Sequence, residues 1–327
     1  VQTVTFPDPG PQWTTNRVGL AATASSGLPV AFSVASGPGS IAGGTNLTFT
    51  GAGAVSVVAT QGGDADWLSA AATNSIAVTK AGATVTLGSL SSTYDGSAKS
   101  ATATTVPAGL AVDFTYDGSS PAPTAAGSYI VTGTVNEVMY QGAATGTLAI
   151  AKGAATVTLG SLAQDYDGTA KPATATTDPA GLTVDFTCDG ETNWPVAVGT
   201  YAVTGTVNEA NWQGSATGTL AIGKGPATVT LENLAQDYDG TPRLATATTV
   251  PAGLAVDFTY DGETNWPVAV GSYAVTGTVN EANWQGSATG TLAIGKGTAT
   301  ILLGDLAQEY DGTEKLATAT TVPTGLV

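Results

Sequence analysis

Histidine is absent from the whole chain, and cysteine and methionine occur once each, at Cys188 and Met139. Only 9 lysines and arginines stand against 25 aspartates and glutamates, giving a formal net charge of −16. Each shortage excludes something. Without histidine the commonest general base and the commonest transition-metal ligand are gone. A single cysteine forms no intrachain disulfide, so the fold is not a disulfide-stapled scaffold, and the redox compartment stays open. An acidic surface repels nucleic acid and anionic membrane, which removes both as expected partners. No apolar run approaches the ~20 residues of a membrane span, and no signal peptide is visible. The sequence begins at Val1, which suggests a mature or excised piece of something longer.

What is present is glycine (43 residues) with alanine, threonine and valine, while only 10% of residues are charged. Small and β-branched residues in this proportion predict all-β structure. The stretch TVNEANWQGSATGTLAIGKG occurs twice without change, at 206–225 and 278–297. The tripeptide YDG places Tyr94, Tyr166, Tyr238 and Tyr310 at intervals of 72. A fixed period of this length signals an array of one small unit. The expected organisation is a diverged domain over 1–80, full repeats over 81–152, 153–224 and 225–296, and a partial fourth over 297–327. The second and third repeats differ at only 10 of 72 positions. Such close copies suggest that the number of units, hence length, matters more than any one site. In the first 80 residues GDADWL puts Trp67 where the repeats have Tyr140, Trp212 and Trp284.

Strand signals are short and evenly spaced. In the second repeat they fall near 155–159, 172–177, 182–187, 200–207 and 216–222, with room for one or two short edge strands. Val203, Gly205 and Val207 alternate with polar residues, as do Leu220 and Ile222, the pattern of half-buried antiparallel strands. Tyr129, Tyr201 and Tyr273 open the penultimate strand in GSY or GTY, the place of a tyrosine corner in immunoglobulin-like sandwiches. VTLGSLAQDYDGT, ATATTDPAGLTVDFT, VGTYAVTGTVNEANWQG and SATGTLAI together resemble the MBG and YDG repeats, bacterial immunoglobulin-like domains that form long arrays on secreted and cell-surface proteins. The resemblance implies a tandem array of small antiparallel β-sandwich domains, joined end to end as a rod and used extracellularly as a spacer or adhesion module. It carries no catalytic residues and no cofactor to transfer.

Three candidate chemistries remain. Catalysis finds no nucleophile motif, and Asp95, Asp117, Asp189 and Asp261 each precede glycine, where they are turn residues. For calcium, DYDG sets carboxylates two apart at Asp165/Asp167 and Asp237/Asp239, with Glu309/Asp311 in the fourth repeat, yet the first repeat has Thr93 at the leading position. An Asx turn is the favoured reading of these acids. Trp194 and Trp266, in two copies of ETNWPVAVG, could stack on a sugar ring or pack into the fold, and packing is favoured. Lys80, Lys152, Lys224 and Lys296 sit at the joints, where each is expected to meet a neighbouring domain's carboxylate, such as Glu137, Glu209 or Glu281. The expected partners are thus adjacent domains, with surface glycans or other copies of the chain in a filament completed by strand addition as alternatives.

Overall fold

The computed structural model describes residues 1–326, and every regular element among them is a β-strand. The chain divides into two compact units, one of residues 1–155 with 208–214 and the other of residues 156–207 with 215–327.

The first unit holds the leading domain and the first repeat. In that repeat Gly127–Asn136 pairs antiparallel with Asp113–Tyr116 on one edge and with Tyr140–Ala151 on the other. Tyr140–Ala151 carries two short parallel partners along its far edge, Ala81–Gly82 at its start and Ser91–Thr93 at its end. A second layer is the antiparallel pair Thr84–Gly88 and Thr102–Val106. The inner face of the larger sheet follows the two-residue period, with Val131, Val135, Leu148 and Ile150 all at most 3% exposed. Leu87, Leu90, Phe114 and Tyr129 pack against that core. Burying one such aliphatic side chain contributes about 1.5–3 kcal/mol.

The leading domain is built alike. Ala31–Ser36, Gly53–Gln61 and Ala70–Thr79 form consecutive antiparallel strands, and Gln12–Trp13 runs parallel to the end of the last. Arg17–Gly19, Asn46–Phe49 and Gly39–Ala42 make the facing layer around Leu47, Val55, Val57 and Ile76. The Asp64 amide donates to the Trp67 carbonyl, the same closure that joins Glu137 to Tyr140, so the shared hairpin extends into this domain.

The second unit holds most of the second repeat, the third, and the described part of the fourth. The strands expected in the second repeat appear as Thr156–Gly160, Thr174–Asp178, Asp185–Cys188, Gly199–Asn208 and Trp212–Gly223. The short edge strands are Gly153–Ala154 and Ala163–Asp165, and both lie parallel to the last strand rather than in a meander. The fourth repeat contributes one antiparallel pair, Thr300–Gly304 with Thr318–Val322, whose Ile301 and Leu303 remain exposed.

Glycine is required where the last strand meets the entering chain. A Cβ on Gly142 would lie 2.1 Å from the Ala83 carbonyl oxygen, and one on Gly286 would lie 2.0 Å from that of Ala227. Backbone cannot yield there. At Gly290 the nearest atoms are the Leu231 and Leu234 methyls at 3.1 and 3.2 Å, which can turn aside. Gly286→Ala is therefore expected to cost upwards of about 2 kcal/mol and Gly290→Ala about 1 kcal/mol or less, compared by urea unfolding.

Candidate functional site: the joint between repeats

Three joints share one backbone addition and one lysine bond, and two of them also share an aromatic contact. The entering segment of a repeat adds to the last strand of that same repeat: Gly153 and Ala155 amides donate to the Asn211 and Gln213 carbonyls at 2.9 and 2.8 Å. At the next joint Gly225 and Ala227 donate to Asn283 and Gln285 at 2.8 and 2.7 Å. The hairpin tip of the later repeat then reaches back to the earlier one. Trp212 meets Tyr94 edge-on, with ring centroids 5.2 Å apart and planes at 88°, and Trp284 meets Tyr166 at 5.1 Å and 83°. Trp212 and Trp284 lie over Gly153 and Gly225, where a Cβ would sit 2.5 and 2.7 Å from the indole ring. Asn211 Oδ1 accepts from the Ala126 amide at 2.9 Å, and Asn283 Oδ1 accepts from Val198 at 3.3 Å.

The joint lysines do reach the neighbouring repeat, but the expected carboxylate is not their partner. Lys80, Lys152 and Lys224 donate from Nζ to the side-chain oxygens of Asn136, Asn208 and Asn280 at 2.5, 2.7 and 2.7 Å. Glu137 and Glu281, one residue further on, instead accept from the Ala111 and Ala255 amides within their own repeats. A glutamate that caps a loop amide is held by a short local bond, which leaves the asparagine amide as the group facing the joint. Lys296 is exposed.

The first joint shows a residue that sequence reasoning missed. The Thr14 amide donates to Thr79, just as Tyr94 donates to Ala151 and Tyr166 to Gly223, so Thr14 occupies the place of the YDG tyrosine. It is 2% exposed, and its hydroxyl donates to the Met139 carbonyl while accepting from the Ala81 amide. No YDG flanks it, so only the parallel pairing of Gln12–Trp13 reveals the equivalence.

The YDG aspartates have other work. Asp95, Asp167, Asp239 and Asp311 each accept from the amide two residues on and pair with the basic residue four on: Lys99, Lys171, Arg243 and Lys315. Bonds from Lys99 and Ser97 hold the Asp95 carboxyl well below the usual range, and Lys171 with Thr169 does the same for Asp167. Asp239 is lowered by Thr241 first, and Asp311 falls to about 2 through Lys315 and Thr313. No group of three potential metal ligands occurs among the described residues, and Asp165 and Asp237 lie in edge strands beside Gly223 and Gly295.

Asp117-Gly118, Asp189-Gly190 and Asp261-Gly262 form two-residue hairpin turns with positive φ at both positions. The hydroxyls of Tyr129, Tyr201 and Tyr273 donate to the carbonyls of Ala125, Ala197 and Ala269 at 2.9, 2.9 and 2.8 Å. Burial and then Asp189 push the Cys188 thiol up, so it stays protonated and a poor nucleophile. Trp194 and Trp266 do not share an environment: Trp194 packs on the core against Phe186, whereas Trp266 is 61% exposed.

The MBG domain family matches residues 83–154, 155–226, 227–298 and 299–327. No curated protein matches the chain. Solved structures similar to it include an ICAM-5 D1–D4 ectodomain fragment, at TM-score 0.35 and 10% identity, covering 90% of this chain and 100% of that one. The Sidekick-1 immunoglobulin domains 1–5 score 0.25 at 12% identity and cover 90% and 80%. Drosophila N-cadherin EC1–4 scores 0.21 at 10% identity and covers 89% and 99%.

A double-mutant cycle with Tyr166→Ala and Trp284→Ala is expected to return a coupling of about 1 kcal/mol by urea unfolding, beyond the area each ring buries. The lowered aspartates titrate near 3.8 when unfolded and lower when folded, so their contribution is complete above that pH and is lost as pH falls through the folded values. Melting temperature should hold from neutral pH to about 4 and fall below it, with a shallower acid slope in Asp167→Asn.

Proposed function

Because the chain belongs to the MBG domain family, we propose that it is an extracellular structural spacer, a stalk or fibre segment of a large bacterial surface or secreted protein. The observation that carries this reading is the joint itself. A flexible tether between domains has a free linker, whereas here the connecting residues are already a strand of the following repeat's sheet. The lysine–asparagine bond and the tryptophan–tyrosine contact then hold the hairpin tip against the preceding repeat. Order of this kind serves reach. A spacer needs each added repeat to add length, and a joint that swivelled freely would let the added length fold back.

The near-identity of the second and third repeats supports the same reading. A binding array diverges where its copies meet different ligands, whereas a spacer asks only that every copy fit the next. The expected substrate class is therefore none, and the expected partners are the neighbouring domains of the same chain.

Small-angle scattering on the full chain tests the proposal. A compact protein of this length has a radius of gyration of about 20 Å. Four units, each built on strands of about ten residues at about 3.3 Å per residue, give about 35–40 Å if each adds its length. A value near the compact figure refutes the spacer reading.

A further inference from the structure

The second and third repeats carry the identical loop ETNWPVAVG at 191–199 and 263–271, yet the structure sets its tryptophan differently in each. Trp194 lies half-buried against the core, 5.5 Å from Phe186 between ring centroids. Trp266 stands 61% exposed and takes no part in the corresponding core. The loop sequence cannot be the cause, which lies among the positions that differ around the loop.

Beneath it, at the end of the Asp185–Cys188 strand, the second repeat has Cys188 where the third has Tyr260. Tyr260 is 3% exposed, and its hydroxyl accepts from the Ala245 amide at 2.9 Å. Tyr116 does the same for Ala101 in the first repeat, whose loop has Ala122 packed on the core in place of a tryptophan. Thus the first repeat combines tyrosine with alanine, the second cysteine with tryptophan, and the third tyrosine with tryptophan. In every case the core takes one large aromatic from this pair of positions. A thiol occupies far less space than a phenol, and a close-packed interior does not leave the difference empty.

We infer that the residue at 188 or 260 decides whether the loop tryptophan is withdrawn or displayed. A tyrosine fills the end of the core and leaves the tryptophan outside. A cysteine vacates it, and the indole turns in. The device acts repeat by repeat, so one substitution in the core sets which copies present an exposed aromatic face for a flat apolar ligand surface such as a sugar ring. In this chain the third repeat presents it and the second does not. The inference is independent of the spacer reading, since a spacer with or without one displayed indole keeps the same joints.

The test labels the full chain with 5-fluorotryptophan. Its six tryptophan signals are read by fluorine NMR with a soluble paramagnetic agent, and Trp194→Phe and Trp266→Phe assign the two of interest. In the unaltered chain the Trp266 signal should relax several-fold faster than that of Trp194. Cys188→Tyr should raise the Trp194 rate to that of Trp266, and Tyr260→Cys should lower the Trp266 rate to that of Trp194. Pro172→Leu, which copies a neighbouring difference between the repeats, should change neither. If Cys188→Tyr does not fold, Trp194→Ala in the same chain should restore folding. A protected Trp194 in folded Cys188→Tyr overturns the inference, as does an exposed Trp266 in Tyr260→Cys or an unrestored double variant.

Discussion

Everything in a repeat hangs on the last strand. One edge of it is fully paired with the strand before it, while the other edge is shared by two short parallel segments that come from different stretches of chain. One of these is the entry from the preceding domain and the other precedes the YDG turn. A strand that receives partners from so many places must let backbone approach backbone, which is why glycine at 142 and 286 cannot carry even a methyl group. The sheet, the entry angle of the chain and the position of the YDG tyrosine are consequences of that approach.

The rest of the charge and polar chemistry divides cleanly into what is local and what spans repeats. The aspartate–lysine pairs join residues four apart, so each forms inside its own turn and travels with it. The lysine–asparagine bonds and the tryptophan–tyrosine contacts join residues far apart in sequence and exist only once a neighbour is in place. The first kind stiffens the YDG turn. The second gives neighbours a reason to stay folded together, as expected of arrays whose stability is a sum of repeat and interface contributions.

The period, the fold class and most strand positions were legible in the sequence because spacing and two-residue alternation are written directly in it. Val203, Val207, Leu220 and Ile222, picked out by alternation, are all at most 2% exposed. What the sequence did not show were facts of juxtaposition. The parallel edge strands are two or three residues long, too short for any periodicity. The lysine's acceptor is an asparagine rather than the glutamate beside it, because local amides had already claimed the carboxylates of Glu137 and Glu281. Thr14 takes the YDG tyrosine's place without resembling it. The two loop tryptophans are indistinguishable in their own sequence, and their unlike burial has to come from residues elsewhere in each repeat.

The joint also has a direction. The first and second repeats offer a YDG tyrosine and a loop amide at one end, and the second and third offer an asparagine–tryptophan hairpin at the other, so the two faces are unlike and complementary. A contact between unlike faces does not close on itself as a twofold pair does. It follows that the period of 72 is a unit of inheritance as well as of structure. Crossing over between misaligned copies removes or inserts a whole number of repeats, and the new neighbours already fit. Length can therefore change in descent while the tyrosine–tryptophan joints stay as they are.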